Sequence, residues 1–410
     1  MKKAVLAAAV AAAAVAGVII AIVVSSGSGG TASPPRRETS TGPSTTSKTT
    51  PAGFIVGTAD DALAQADPRF AQHQVDVSHA AGFDAAVVSA MWQKGQRRPP
   101  GNLFHVLSNV ARATKRRDMH LFVMVWHGLA RDTPTTPSDR ADFAAYAAAL
   151  VQSLPAVRGV IIGNEPNLST FWKPQFGADG RDLAADDYED LLARSYDAVK
   201  GVDNGVLVLG GALSPRGADR AGGARPTHSP TAFIRDLGTA YRASGRSKPL
   251  MDAFAFHPYM QASRLPPTQA HPDNTSITIA DYPKLVALLN EAFQGTAQPG
   301  AALPIYYTEF GVQTRVPAAK LRFYDNVATP ARSDSVPFAL QAAYYRRALQ
   351  LAYCQPTVRG LFVFHTFDEQ NLGGWQSGLY FADGTPKPSL APFRRAVADL
   401  RGGKFPACPR

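Results

Sequence analysis

Eight short apolar segments, each followed by a segment of helical periodicity, fill most of the chain after residue 53. Apolar runs of four to six residues bounded by turn-forming residues are typical of buried strands. The predicted strands are residues 54–57, 85–89, 121–126, 160–163, 206–210, 253–257, 305–308 and 361–364. The predicted helices are residues 75–81, 107–117, 141–154, 186–199, 232–244, 282–293, 338–353 and 390–400. Eight consecutive β–α units predict an α/β fold, a (β/α)8 TIM barrel in one domain.

The N-terminal segment predicts export. Lys2 and Lys3 precede the uncharged apolar run 4–24, which is long enough to cross a bilayer. Residues 1–24 are therefore either a signal peptide or an N-terminal membrane anchor, and both alternatives place the rest of the chain outside the cytoplasm. Residues 25–52 are rich in Ser, Thr, Pro and Gly and predict a disordered linker, which leaves 53–410 as the folded domain. We expect an extracellular or cell-envelope protein, secreted or tethered through residues 4–24.

Composition excludes several classes of function. The formal net charge of +10 is spread thinly, without a basic stripe interleaved with aromatic residues, so we expect no nucleic-acid partner. The sequence contains no phosphate-binding glycine loop, dinucleotide fingerprint or HExxH motif, and its histidines are scattered; we therefore expect neither a cofactor nor a metal. The two cysteines, Cys354 and Cys408, are either unrelated thiols or a disulfide, and export favours the disulfide.

Two glutamates follow predicted strands four and seven. Glu165 follows the apolar run 160–163, and Glu309 follows the run 305–308. A carboxylate at the end of a buried strand needs a partner or a function, and sites of TIM barrels lie at these strand ends. Strands four and seven face each other across an eight-stranded barrel, so the two side chains can converge. Glycoside hydrolysis uses such a pair of carboxyl groups, one as acid and one as nucleophile or base.

Other polar and aromatic residues gather at the same strand ends. Asn164 precedes Glu165 and can donate a hydrogen bond to a substrate hydroxyl. The remaining candidate substrate-binding residues are His127, His257, Tyr259, Trp92, Trp126, Trp172 and Trp375. Asp60, Asp61, Asp368 and Glu369 also lie at strand ends, and because the sequence shows no partner for them we interpret them as solvated loop residues.

The motifs Ile162-Gly163-Asn164-Glu165-Pro166 and Tyr307-Thr308-Glu309-Phe310-Gly311 resemble the strand-four and strand-seven signatures of clan A glycoside hydrolases, the retaining "4/7" barrels. Within the clan the chain looks most like family 5, the cellulase-like family, or family 39. His257-Pro258-Tyr259 is similar to the His-x-Tyr of family 5. Two features depart from family 5: an arginine is missing near the end of strand two, and Phe364-His365 stands where a tryptophan is usual.

The resemblance implies roles for these residues. Glu165 would be the acid/base and Glu309 the nucleophile, oriented by His257 and Tyr259. His127 would bind a sugar hydroxyl, and the four tryptophans would be platforms on which sugar rings stack. The mechanism implies that Glu165 titrates at a higher pH than Glu309.

The sequence therefore predicts a retaining glycoside hydrolase that cleaves a β-linked poly- or oligosaccharide by a two-glutamate double displacement. Two alternatives remain open at this stage. One is a catalytically inactive barrel that binds carbohydrate, and the other is an envelope or exopolysaccharide-processing factor.

Overall fold

The structure is a computed structural model that describes residues 53–154, 156–223, 225–328, 334–405 and 408. Eight parallel strands form a closed barrel in which each strand pairs with its sequence neighbours and β1 pairs with β8. The strands are β1 Ile55–Ala59, β2 Ala85–Met91, β3 His120–Trp126, β4 Val157–Ile162, β5 Leu207–Leu213, β6 Ala253–Phe256, β7 Ile305–Phe310 and β8 Val358–Phe364. The (β/α)8 prediction is confirmed.

A helix follows each strand and packs on the outside of the barrel. The helices are α1 Pro68–Ala81, α2 Gly101–Arg116, α3 Pro137–Ser153, α4 Leu183–Val202, α5 Pro230–Ala243, α6 Tyr282–Phe293, α7 Phe338–Tyr353 and α8 Leu390–Arg401. The early helices begin several residues before the predicted starts. α1 begins at Pro68 because Asp67 caps it, its side chain accepting a hydrogen bond from the Arg69 backbone N–H.

Side chains fill the barrel interior and leave no pore. Phe122 lies at the centre, with its ring centroid 5.6 Å from that of Tyr306 and 5.4 Å from that of Phe362. These rings occupy space that a side chain on β1 would need. A Cβ at Gly57 would lie 2.2 Å from the Phe362 ring, so only glycine fits there. The packed interior supports the mouth of the barrel, which is the opening formed by the C-terminal ends of the strands.

A buried ion pair holds the loop after β8. The Lys387 ammonium lies 2.6 Å from Asp368 Oδ1, and both side chains are fully buried. Asp368 also accepts hydrogen bonds from the Tyr324 hydroxyl, at 2.8 Å, and from the Gly378 N–H, at 3.0 Å. The interpretation of Asp368 as a solvated loop residue is therefore wrong, because its partners come from distant parts of the chain.

Asp60 is buried as well, contrary to the same interpretation. One of its carboxylate oxygens accepts hydrogen bonds from the backbone N–H groups of Thr366 and Phe367, and the other accepts from Ala62. Burial raises the pKa of Asp60 to about 6, against the lowering effect of these three donors. Asp60 thus joins the end of β1 to the end of β8 where the barrel closes.

The C-terminal tail is fixed covalently. Cys354, which ends α7, forms a disulfide with Cys408, as export of the chain favoured. The predicted leader 1–24 and nearly all of the linker 25–52 lie outside the described residues. Among the described helices, none combines the length and apolar character that a membrane span requires.

The buried pair predicts an asymmetric response to substitution. Lys387→Met leaves the Asp368 carboxylate buried and unpaired, so we expect the free energy of unfolding to fall by about 3–5 kcal/mol. Lys320→Met is the matched control, because Lys320 pairs with Asp383 at 2.7 Å but is a quarter exposed. We expect the control to lose about 0–1 kcal/mol in urea titrations. Equal losses in the two variants would contradict the role given to Lys387.

Candidate active site

Glu165 stands on strained backbone directly after β4. Its φ is +40°, in the left-handed region that residues other than glycine seldom adopt. Neighbouring strands hold this turn: the Gly163 N–H donates to the Val125 carbonyl at 2.8 Å, and the Glu165 N–H donates to the Ala212 carbonyl at 2.9 Å. Local strain held by its surroundings is common at functional sites. The backbone thus fixes the position from which the Glu165 side chain extends.

Tyr188 of α4 supports the same turn from beneath. Its hydroxyl donates to the Ile162 carbonyl at 2.7 Å and accepts from the Gly211 N–H at 2.7 Å, so it links the ends of β4 and β5. A Cβ at Gly163, where φ is +82°, would lie 3.1 Å from the Tyr188 ring. Glycine at position 163 therefore permits both the turn and the close approach of Tyr188.

The two predicted catalytic glutamates meet in the mouth. His257, which follows β6, lies between them: its Nδ1 is 3.2 Å from Glu165 Oε1 and 3.7 Å from Glu309 Oε2. The Tyr259 hydroxyl donates to Glu309 Oε2 at 2.9 Å. His257 is completely buried and Tyr259 nearly so. The structure therefore brings Glu165, Glu309, His257 and Tyr259 into one connected group.

Burial and neighbouring charges have opposing effects on the pKa values of Glu309 and His257. Burial raises the pKa of Glu309 to about 6; the nearby His257 lowers it, Glu165 raises it, and the Tyr259 hydrogen bond lowers it. Burial lowers the pKa of His257, but Glu309 and Glu165 outweigh it and the net direction is upward. Glu309 is therefore predominantly ionised only above about pH 6, and the expected order of ionisation of the two glutamates stays a prediction.

Asn164, which precedes Glu165, and His127, which follows β3, are both buried. The side-chain oxygen of Asn164 is buried and has no hydrogen-bond partner among the described residues. His127 Nε2 lies 2.5 Å from the Phe171 carbonyl oxygen, and its Nδ1 is buried without a partner. Burial lowers the pKa of His127 to about 4, so the imidazole is neutral near pH 7. Binding of a sugar by either residue remains a prediction that requires these atoms to be uncovered.

Two of the four predicted stacking platforms are wrong. Trp92 and Trp172 are completely buried. The Trp92 ring packs against Phe143, and its indole N–H donates to the Gln96 carbonyl at 2.7 Å. Trp172 packs edge-on against His127 and Tyr188. Neither indole presents a face to solvent, so both contribute packing beneath the loops rather than a surface for sugar.

Trp126 and Trp375 are half-buried at the mouth. Trp375 lies in the loop after β8, with its ring centroid 5.1 Å from that of Tyr259, which itself contacts Glu309. Trp126 ends β3 and packs edge-on against Phe171. Stacking on these two rings is compatible with their exposure and stays a prediction.

Sequence reasoning overlooked one charged residue at the mouth, Arg216, and interpreted a second, Asp61, as a solvated loop residue. Arg216 follows β5 and is close enough to Glu165 for that carboxylate to raise its pKa, although burial has the larger effect and lowers it. Arg216 Nη1 is buried without a hydrogen-bond partner among the described residues. Asp61 follows β1, accepts from the Ser89 N–H at 2.6 Å, and contributes to raising the pKa of Glu309. Their positions just after strand ends were the available signal.

An open depression of about 480 Å³ lies beside the mouth, between the loops after β3, β4 and β5. Its lining includes Arg131, Lys173 and Phe176 but neither of the paired glutamates. The paired glutamates therefore lie outside this depression.

The fold is similar to that of solved glycoside hydrolases. A β-glycosidase, BGL167, superposes with a TM-score of 0.55 at 15% identity, over 88% of this chain and 99% of its own. A GH5_18 protein from Streptomyces cattleya, solved in complex with GlcNAc, gives a TM-score of 0.59 at 17% identity, over 88% of this chain and 83% of its own. The exo-β-1,4-mannosidase Op5Man5 from Opitutaceae bacterium strain TAV5 gives 0.53 at 16% identity, over 86% of this chain and 61% of its own.

The likeness to family 5-type clan A barrels inferred from the two glutamate motifs is thus confirmed at the level of the fold. No protein-family model matches the sequence, and neither does any curated relative.

The raised pKa of Glu309 predicts a pH-dependent stability difference. Because the pKa rises from 4.5 to about 6 on folding, the wild type loses stability as pH increases through this interval. Glu309→Gln cannot ionise, so we expect it to match the wild type below this interval and to be more stable by about 2 kcal/mol above it.

Urea titrations at a series of pH values measure this difference. Glu291→Gln is the control, because Glu291 is exposed and paired with Arg235. A Glu309→Gln advantage that did not change with pH would contradict the burial of an ionisable group at position 309.

Proposed function

We propose that this protein is a glycoside hydrolase that cleaves β-linked carbohydrate with retention of configuration. The observation that carries the proposal is the sharing of one buried imidazole, His257, by Glu165 and Glu309. A structural role would need only one of these carboxylates to be hydrogen-bonded, whereas double displacement needs two carboxyl groups on either side of the same bond.

The geometry favours retention over inversion. Glu165 Oε1 and Glu309 Oε2 lie 3.2 and 3.7 Å from the same nitrogen, so their separation cannot exceed the sum of these distances. That bound includes the separation of about 5–5.5 Å typical of retaining enzymes. It lies below most of the range of about 6.5–9.5 Å that leaves room for an attacking water in inverting enzymes.

Each residue of the group has a step in this mechanism. Glu309 attacks the anomeric carbon while Glu165 donates its proton to the leaving oxygen, and a glycosyl ester forms on Glu309. Glu165 then removes a proton from the water that hydrolyses this ester. Tyr259 orients Glu309 Oε2 by its hydrogen bond. His257 lies between the two carboxylates in its protonated form, and its positive charge stabilises the ionised form of Glu309.

The substrate we propose is a β-linked poly- or oligosaccharide outside the cytoplasm. The half-buried rings of Trp126 and Trp375 at the mouth suit the apolar face of a sugar. The predicted leader supports an extracellular or cell-envelope location. The solved structures to which the fold is similar include a β-glycosidase and an exo-β-1,4-mannosidase, which agrees with a β-linkage.

Hydrolysis of a panel of β-glucans, β-mannans, xylans and aryl β-glycosides tests the proposal. Glu309→Gln should lose activity on every substrate that the wild type cleaves. Glu165→Gln should lose about 10²–10⁴-fold on glycans, whose leaving oxygen needs a proton, and much less on aryl glycosides with acidic phenols.

Proton NMR of the first product settles the stereochemistry. Release of the α-anomer from a β-glycoside would overturn retention. A glycan that binds but is never cleaved would replace the enzyme with the carbohydrate-binding alternative.

The pKa of Glu309 also sets the acid limb of the pH–rate profile. Because the nucleophile must be ionised, kcat/KM should fall as pH decreases through about 6. Tyr259→Phe removes a hydrogen bond that lowers this pKa, so the limb should move to higher pH. Tyr344→Phe serves as the control, since the Tyr344 hydroxyl donates to the Arg264 carbonyl at 3.0 Å and not to Glu309. An unmoved limb in Tyr259→Phe would show that Glu309 does not control it.

A further inference from the structure

A second cluster of ligating side chains lies outside the catalytic pair. Asp182, His228 and Asp236 each present one ligand atom, and these three atoms lie within 4.8 Å of one another. We call these residues the rim cluster. Asp182 caps the N-terminus of α4, His228 ends the loop that follows β5, and Asp236 lies in α5. Three separate segments of the chain therefore converge on one point.

Two members of the rim cluster are buried, Asp236 is half-buried, and one carboxyl oxygen lacks a partner. Asp182 is 8% exposed and His228 is 3% exposed. Asp182 Oδ1 accepts from the Ala185 N–H at 2.8 Å and lies 3.2 Å from His228 Nε2. Asp182 Oδ2 is buried and has no hydrogen-bond partner among the described residues. A buried carboxyl oxygen costs free energy when it is left without a partner, so Asp182 Oδ2 is a candidate ligand atom.

The acidic residues of the cluster lack a direct basic partner among the described residues. Within the described part of the chain, neither Asp182 nor Asp236 forms an ion pair with a lysine or an arginine. Arg235, the neighbour of Asp236 in sequence, points its guanidinium to Glu291 at 2.8 Å. A buried carboxyl group that lacks a basic partner is either protonated or bound to a metal, so Asp182 can serve as a metal ligand.

We propose that the rim cluster binds a divalent transition-metal ion, Zn²⁺ or an ion of similar preference. One imidazole nitrogen and two carboxylate oxygens form a donor set that suits Zn²⁺, whereas Ca²⁺ prefers oxygen ligands alone. Three protein ligands leave a coordination position for water.

His228 must change its tautomer before its Nε2 atom can bind a metal. That atom now lies 3.0 Å from the Gln175 carbonyl oxygen and donates its hydrogen towards it. In the metal-bound form the neutral ring carries its hydrogen on Nδ1, and the metal replaces the hydrogen on Nε2.

The site would stabilise one wall of the depression beside the mouth. Gln175 and Phe176 line that depression, and the Phe176 ring lies 3.9 Å from the His228 ring, centroid to centroid. Phe176 also forms an isolated β-bridge with Asp182. A metal at the rim cluster would therefore tie the loop after β4 to the loop after β5, independently of the chemistry at Glu165 and Glu309.

Calorimetric titration of tag-free, EDTA-treated protein with ZnCl2 tests the proposal. We expect one Zn²⁺ per chain and a rise in the melting temperature that EDTA reverses. Asp182→Asn keeps an oxygen for capping α4 but loses the charge, and His228→Gln loses the nitrogen ligand. Each variant should weaken Zn²⁺ binding by at least about tenfold, since even outer residues of metal sites contribute 10–100-fold.

Asp186→Asn is the matched control. Asp186 lies one turn further along α4, is more exposed, and pairs with Arg181, so its loss should leave one Zn²⁺ bound. Circular dichroism of the three variants confirms that they are folded. The proposal is overturned if the wild type binds no Zn²⁺, if Ca²⁺ alone binds, or if Asp182→Asn and His228→Gln bind Zn²⁺ as the wild type does. These readouts do not depend on hydrolysis, so they remain informative if no substrate is cleaved.

Discussion

The contact on which the site depends is a buried imidazole held between two carboxylates. His257 Nδ1 faces Glu165 on one side and Glu309 on the other, with Tyr259 completing the group. Two carboxylates in a desolvated mouth repel each other, and a protonated imidazole between them removes that repulsion. The three strands that carry these residues reach one point only because the barrel is closed. Closure in turn depends on the packed interior and on links such as Asp60, which joins the ends of β1 and β8.

Several strand ends carry strained backbone. Glu165 after β4, Ala212 within β5 and His365 after β8 all have positive φ, and none is a glycine. Each such residue costs about 1–3 kcal/mol, which the surrounding hydrogen bonds must offset. The His365 N–H donates to the Ala59 carbonyl at 3.0 Å, in the same way that Glu165 donates to Ala212. The rigid barrel thus holds the strained backbone at the strand ends, and the side chains there point in directions that regular strands do not allow.

Patterns that are local in sequence predicted the fold and the two glutamates at its mouth. The alternation of strands and helices identified the barrel, and the position of Glu165 and Glu309 after strands four and seven brought both into the mouth. The burial of Trp92 and Trp172 was not predictable in this way, because it depends on how Phe143, His127 and Tyr188 pack around them. Asp368 and the rim cluster escaped detection for a related reason: Lys387 and His228 are close to their partners in space but distant in sequence.

The disulfide between Cys354 and Cys408 lies at the end of the barrel opposite the mouth. Cys354 ends α7, and helices of this barrel run opposite to its strands, so the bridge lies on the base, away from the mouth. β1 begins at Ile55 on the same base. The start of β1 and the disulfide therefore lie at the face opposite the paired glutamates. The mouth is therefore clear of both the start of β1 and the disulfide that fixes the tail.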